Sequence, residues 1–364
     1  MEPTVATRMS AATSRHVATE RWPAATLGHV AVFRALQLGD MLCAVPTLRT
    51  LRSAMPHARL TLIGLPWAAK FARRFAHYVD DFMAFPGAPG LPERASTAEE
   101  IVRFQQQARA ACFDGVLQLH GSGAHSNPIA LSLGARRCAG FYRPGEPCPD
   151  PELFLPYPEQ EPEVRRLLRL PEFLDMPSQG ESLEFPIVDE EWRAAVRLQA
   201  THGLRSGEYV CVHPGARLAT RRWPPERFAR VADALAGRGL RIVLTGTSSE
   251  EALVASVANA MRSEPVNLAG RTQLGELAAV LAGARLLVCN DTGVSHLAAA
   301  LRVPSVVIYT ASSPERWAPS DAQRHRRVSH PIDCRPCEHA ICPIGHGCTE
   351  HVSAEDVIRE IAKL

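Results

Sequence analysis

The segment Val288–Thr310, VCNDTGVSHLAAALRVPSVVIYT, constrains the fold more than any other stretch of this chain. An apolar run ends at the turn Asp291-Thr292-Gly293, a helical stretch follows, and the chain then becomes apolar again. Strand, sharp turn, helix, strand is the repeating unit of a parallel sheet. A helix that begins at such a turn aims free N–H groups above the strand end. The segment is therefore an anion site by geometry, and phosphate is the usual occupant.

The same alternation fills the rest of the chain. In the first half, strands are expected at His29–Leu36, Arg59–Gly64, Phe82–Phe85 and Gly115–His120. Helices are expected over Asp40–Ala54, near Trp67–His77 and around Ala98–Cys112. Residues 143–162, rich in Pro, Glu and Gly, read as a loop. A helix over Glu190–Thr201 leads to a linker at His202–Gly207, and the pattern restarts at Tyr209–His213. Pro224 and Pro225 suit the first turn of a helix running to Ala236. At 364 residues the chain exceeds one ordinary core, since domains run to roughly 150–200 residues. The expected division is a disordered tail over 1–27, one α/β domain over 28–201, a second over 208–332, and a Cys-rich segment with a final helix over 333–364. Two such units with a linker between them leave a cleft, a common place for a ligand.

Several turns at strand ends carry chemistry. Asp40, in Leu38-Gly39-Asp40, follows the first strand. It reads either as a helix N-cap or as a general base facing the cleft. A helix N-terminus favours the ionised carboxylate, so Asp40 gains basicity only if the cleft desolvates it. His213-Pro214-Gly215-Ala216 and then Arg221-Arg222-Trp223 follow a second-half strand. Arginines there suit a diphosphate, because guanidinium binds phosphate through two parallel N–H groups; a solvated basic loop is the plainer alternative. Glu250 and Glu251, after Thr245-Gly246-Thr247, are helix-dipole partners or ligands of a ribose or sugar hydroxyl. His296 lies one turn inside the helix that starts near Thr292, either in the core or on a phosphate or sugar.

Absences narrow the class. The chain has no Asp-x-Asp, so a mechanism that carries a diphosphate on Mg²⁺ or Mn²⁺ loses its usual signature. Leaving-group charge would then fall to arginine and helix N-termini. There is no G-x-x-x-x-G-K-[ST] and no G-x-G-x-x-G after the first strand, which argues against a P-loop NTPase and a dinucleotide dehydrogenase. Net charge is +2, giving no electrostatic case for nucleic acid. No apolar run reaches the roughly 20 residues of a membrane span, and residues 1–27 lack a signal-peptide apolar core. A cytoplasmic location is expected, compatible with peripheral contact at the cytoplasmic face of the inner membrane.

Four of the ten cysteines cluster as Cys334-x2-Cys337-x4-Cys342-x5-Cys348. In a reducing compartment this suggests a structural zinc or iron, with disulfides or free thiols as the alternatives. Four protein ligands would leave no open coordination position.

Together these pieces resemble the family 9 glycosyltransferases, whose lipopolysaccharide heptosyltransferases are the best known. The matches are Leu38-Gly39-Asp40 with Pro46, Leu48 and Leu51; His213-Pro214-Gly215-Ala216; Arg221-Arg222-Trp223-Pro224; Leu268-Ala269-Gly270; and Asp291-Thr292-Gly293-x-x-His296. They run in order from about residue 29 to 364. The resemblance implies a GT-B fold: α/β, two Rossmann-like domains with parallel sheets facing an interdomain cleft, the acceptor bound on the side of 28–201 and the nucleotide-sugar donor by 208–332. It also implies an inverting transfer that needs no metal or other cofactor for catalysis. Asp40 is then the base. Arg221, where the family commonly has lysine, and its neighbour Arg222 face the diphosphate. Glu250 contacts the ribose, or Glu251 if the alignment slips by one. The backbone of Leu268, Ala269 and Gly270 flanks the nucleotide base. Asp291 takes sugar hydroxyls, while Thr292, Gly293 and His296 hold the diphosphate region. His120, Ser122 and Asn127 form an acceptor-side turn that departs from the best-studied members. The expected activity is transfer of a sugar, heptose from ADP-heptose, from a nucleotide-sugar donor to a lipid-linked or other envelope glycan acceptor such as the lipopolysaccharide core. A nucleotide-sugar epimerase of the same fold and a non-catalytic nucleotide-sugar-binding protein are the rival readings.

Overall fold

The computed structural model describes residues 21–364. The first half contains β1 (His29–Phe33), α1 (Leu38–Ala54), β2 (Arg59–Gly64), α2 (Ala68–Arg74), β3 (Asp81–Ala84) and α3 (Ala98–Ala110). It continues with β4 (Gly115–Gln118), α4 (Ser126–Ser132), β5 (Arg137–Tyr142), β6 (Phe154–Pro156), α5 (Glu163–Phe173) and α6 (Asp189–His202). Its strands lie in the order β3-β2-β1-β4-β5-β6, all parallel. β2 and β4 are buried along nearly their whole length, as expected of strands covered by helices on both faces.

The second half repeats the plan. It contains β7 (Tyr209–His213), α7 (Pro225–Ala236), β8 (Arg241–Leu244), α8 (Glu251–Ala260), β9 (Val266–Asn267), α9 (Leu274–Ala282) and β10 (Leu286–Asn290). α10 (Gly293–Ala300), β11 (Ser305–Ile308), α11 (Pro314–Trp317), β12 (His325–Val328), α12 (Gly347–Glu350) and α13 (Ala354–Ile361) complete it. Its order, β12-β11-β10-β7-β8-β9, is the same as that of the first half read from the other edge, again all parallel. Each sheet therefore reverses direction between its first and fourth strands, and in open α/β sheets ligands bind outside the carboxyl ends at that point.

Most expected elements appear within a few residues. The prolines and glycines between 121 and 162 conceal α4, β5 and the short edge strand β6, which interrupts the expected loop at 143–162. The tail expected over 1–27 needs correction at its end: Trp22 is buried above Gly115, where any larger side chain would occupy its space. Residues 1–20 lie outside the described residues. Helix α6, the last of the first half, packs on α9 of the second.

The two halves meet through helix N-termini. Leu38 and Gly39 at the start of α1 touch Gly293 at the start of α10. A Cβ on Gly39 would stand 2.8 Å from Cδ2 of His296 and 3.4 Å from Cα of Gly293. Behind this contact one apolar core runs through both halves, with Met41, Leu42 and Val45 of α1 and Val294 and Leu297 of α10 in the same cluster. Gly39→Val is expected to lower stability by about 1–3 kcal/mol through overpacking. Urea unfolding tests this, and an unchanged midpoint would show that the contact has slack.

Candidate functional site

Because α1 and α10 each start where the central strand of a sheet ends, their contact brings the two switch points together. From the first sheet come Arg34, Asp40 and His120; from the second come His213, Arg221, Glu250 and Asp291.

Asp40 is the third residue of α1 and is not its cap; Gln37 is, without a side-chain bond. The Asp40 side chain is a quarter exposed. Burial pushes its carboxyl above the ordinary aspartate range, against the pull of the Arg34 guanidinium. Arg34 is fully buried. Its Nε donates to the Asp40 carbonyl at 2.9 Å, and its Nη2 stands 3.9 Å from Asp40 Oδ1 and 3.0 Å from Glu163 Oε1. Neither Arg34 nor Glu163 was identified from sequence. Arg34 carried a weak signal, a charge at the end of an apolar strand. Glu163 sat in a Pro/Glu-rich run that hid it.

His120 is buried and stacked on Phe33. Its Nδ1 accepts the Ala35 N–H at 3.1 Å, which leaves the proton on Nε2. Burial, with Arg34 nearby, lowers its pKa to about 3, so the ring is neutral. Nε2 faces Glu93 Oε2 at 3.9 Å, and that carboxylate oxygen has no hydrogen-bond partner among the described residues. Glu93 is thus a further cleft residue, delivered by a loop that sequence patterning leaves blank. Ser122 is half-buried in the turn. Asn127 is buried and donates to the Phe141 carbonyl at 2.8 Å, bracing the turn from behind. Gln118 and Ser126 also brace it, both donating to the His120 carbonyl, at 2.8 and 2.6 Å.

On the other side, Asn290 at the end of β10 organises the loop after β7. It donates to the Pro214 carbonyl at 2.7 Å and accepts the Trp223 N–H at 3.0 Å. Trp223 is fully buried. The two arginines divide. Arg222 donates to the Ala216 carbonyl at 2.8 Å and braces the loop, whereas Arg221 has a buried Nε with no partner among the described residues. Glu250 accepts from the backbone N–H and hydroxyl of Thr247, both at 2.9 Å. It also lies against Gly215, where a Cβ would run into its carboxylate, and its Oε2 stands 4.0 Å from His213 Nε2. Glu251 turns the other way, toward Gly270. Leu268 and Ala269 are buried. Asp291 is buried at the head of α10, and Thr292 occupies the N-cap position with no side-chain cap bond. His296 is buried across the domain boundary, Nδ1 3.6 Å from Cys43 Sγ and its ring edge-on to Trp317; burial lowers its pKa.

Cys334, Cys337, Cys342 and Cys348 are free thiols around one cavity of about 90 Å³, which His346 also lines. Among the described residues no three His, Cys, Asp or Glu side chains are arranged to hold a metal ion. The segment is tied to the Arg221 loop: Thr220 donates to the His339 carbonyl at 2.6 Å, and His346 Nε2 bonds the Thr220 carbonyl at 2.9 Å.

The model of glycosyltransferase family 9 (heptosyltransferase) matches residues 101–347, well over half of the chain. The chain belongs to this family. Lipopolysaccharide heptosyltransferase 3 of Escherichia coli K12 is 35% identical over 114 residues, which is 30% of the family 9 chain and 33% of that protein. The chain thus spans about a third of the length of this and similar curated relatives that it matches. E. coli ADP-heptose lps heptosyltransferase II superposes with a TM-score of 0.69 at 20% identity, over 92% of this chain and 97% of that one. The dodecameric iron-containing glycosyltransferase TibC of enterotoxigenic E. coli superposes at 0.58 and 15%, over 93% and 78%. These likenesses establish the GT-B fold for the family 9 chain.

The neutral His120 makes a pH prediction. Its folded value of about 3 lies below the ordinary 6.5, so the unfolded chain takes the proton first. The stability held above pH 6.5 is therefore lost as pH falls toward about 3, by about 1.4 kcal/mol per unit. His120→Asn is expected to lose about 2 kcal/mol less than the parent between roughly pH 7 and pH 5, read by urea unfolding. Equal losses would mean that the ring is not held neutral.

Proposed function

We propose that this family 9 chain is an inverting, metal-independent heptosyltransferase that transfers heptose from ADP-heptose to a lipopolysaccharide-core or related envelope glycan. The observation that carries the reading is the contact of Gly39 with Gly293, which sets Asp40 beside the helix start that follows Asp291 and Thr292. A base with raised basicity and an anion-binding helix end thus share one cleft.

In this reading Asp40 takes the proton from an acceptor hydroxyl as its oxygen attacks the anomeric carbon. The bond from that carbon to the diphosphate oxygen breaks, and ADP leaves from the opposite face. Arg221 and the N–H groups at the start of α10 meet the charge that develops on the diphosphate. Asp291 holds sugar hydroxyls and Glu250 the ribose, while the backbone of Leu268–Gly270 flanks the adenine. Thr292, Gly293 and His296 border the diphosphate. His120 offers its Nε2–H on the acceptor side, beside Ser122. The relatives named for heptose transfer, and the one named for ADP-heptose, support this choice of donor.

The acceptor is lipid-linked in this proposal, so the protein works at the cytoplasmic face of the inner membrane as a peripheral partner. Among the described residues no helix is long and apolar enough to cross a membrane.

The four thiols fit a structural zinc or iron in kind, since soft sulfur donors line one small cavity. Such an ion would hold the segment that braces the Arg221 loop, with no part in the reaction.

Three experiments test the proposal. A mass-spectrometric screen of ADP- and UDP-sugars against deacylated lipopolysaccharide cores is expected to give transfer from ADP-heptose. Asp40→Asn should then cut turnover by about 10²–10⁴-fold with ADP affinity nearly intact. Near-normal turnover in that variant ends the base assignment, and consumption of donor alone points to an epimerase. For the thiols, metal analysis of protein purified without chelator should find about one zinc or iron per chain. Four freely alkylated thiols with no metal would remove that part.

A further inference from the structure

A buried charge cluster joins the two domains beside Asp40, and the mechanism above leaves it without a role. At its centre is Glu163, the first residue of α5, almost wholly buried. Three guanidinium groups converge on its carboxylate. Arg34, from the end of β1, meets Oε1 at 3.0 Å. Arg166, one turn along α5, meets Oε2 at 2.8 Å, and Arg316, from α11 of the opposite domain, meets Oε2 at 3.0 Å. Their surroundings differ. Arg166 is spent on the loop before α5, donating to the carbonyls of Pro158 and Glu159 at 2.6 and 2.9 Å. Arg316 stands at the rim, about a third exposed, with Tyr157 Oη 3.3 Å from its Nη2.

Arg34 is the link to the reaction. Its Nη2 lies between two carboxylates, 3.0 Å from Glu163 and 3.9 Å from Asp40. Without Glu163, that buried positive charge would fall on Asp40 alone and make it a poor base. A glutamine could fill the same space and accept a hydrogen bond, but it could not neutralise a guanidinium.

We infer that Glu163 is a positioning residue that draws Arg34 away from Asp40 and receives Arg316 from the opposite domain, so that the base is set up by charges from both sides of the cleft. The inference rests on the reading of Asp40 as the base. The ionisable groups that face Asp40 are Arg34, Glu163 on α5, Arg316 on α11 and His296 on α10, with Glu93 on the loop before α3 and Cys43 on its own helix. Glu163 itself stays ionised: burial opposes its charge, but Arg316, Arg34 and Arg166 outweigh burial and hold it at about 2. It therefore acts as a fixed negative charge across the working pH range. Arg316 opposes it at Asp40, since its positive charge favours the carboxylate.

The two partners should move Asp40 in opposite directions, which a purely structural role would not do. The test is a carbon-NMR titration of the full chain labelled at aspartate side-chain carboxyls, with the Asp40 signal identified by its loss in Asp40→Asn. Glu163→Gln is expected to lower the Asp40 midpoint by about one pH unit. Arg316→Gln is expected to raise it. With turnover assayed, Glu163→Gln should lower kcat several-fold and leave the donor KM unchanged, and Glu163→Asp should restore part of the loss. If Glu163→Gln fails to fold, Arg316→Gln, altered at the exposed rim, carries the test. An unmoved midpoint, or one moved in the opposite direction, in either folded variant overturns the inference. Its failure is separable from failure of the base reading. Asp40→Asn with near-normal turnover sinks the base, whereas an inactive Asp40→Asn with an unmoved Glu163→Gln midpoint sinks only the role of Glu163.

Discussion

The backbones of α1 and α10 touch where Leu38 and Gly39 meet Gly293. Two glycines allow that approach, since a side chain at Gly39 would enter the His296 ring. Each helix begins at the carboxyl end of a central strand, so the touch aligns the switch points of two separate sheets. Asp40 lies against the second half because of it, with His296 and Arg316 facing it. The apolar core behind the contact, running from Met41 to Leu297, holds it in place.

Around that contact polar groups divide into those that are satisfied and those that are not. Asn290 and Arg222 spend their side chains on backbone carbonyls or N–H groups and fix loops, whereas Asn127 donates to the Phe141 carbonyl but leaves its Oδ1 unpaired among the described residues. Arg221 Nε and Glu93 Oε2 are buried without a partner among the described residues. Buried polar groups are costly unless bonded, so unsatisfied ones in a cleft mark where a ligand's polar atoms belong. The contrast between Arg221 and Arg222, adjacent in the chain, shows how little residue type alone assigns a role.

The expected strands and helices were legible wherever apolar periodicity was strong, as at Arg59–Gly64 and Tyr209–His213. They were not legible between 121 and 162, where turn-forming residues mask a short helix and two short strands. The turns before α1, α8 and α10 were legible as well, because each follows directly on an apolar strand. Arg34, Glu93, Glu163 and Arg316 were not. Their meaning lies in pairings between segments as far apart as residues 34 and 163, or 163 and 316, and no local pattern records such a pairing.

The sequence alone determined the repeated α/β plan, the turns that carry acid, arginine and hydroxyl groups, and the family those turns resemble. These follow from local periodicity and short spacing. Only the tertiary structure decided which arginine braces and which is free, that Asp40 lies inside the helix and not at its cap, and that its charge environment is built by both domains. Electrostatics and desolvation depend on what surrounds a group in space, and Glu163, though more than a hundred residues away in the chain, reaches Asp40 through Arg34.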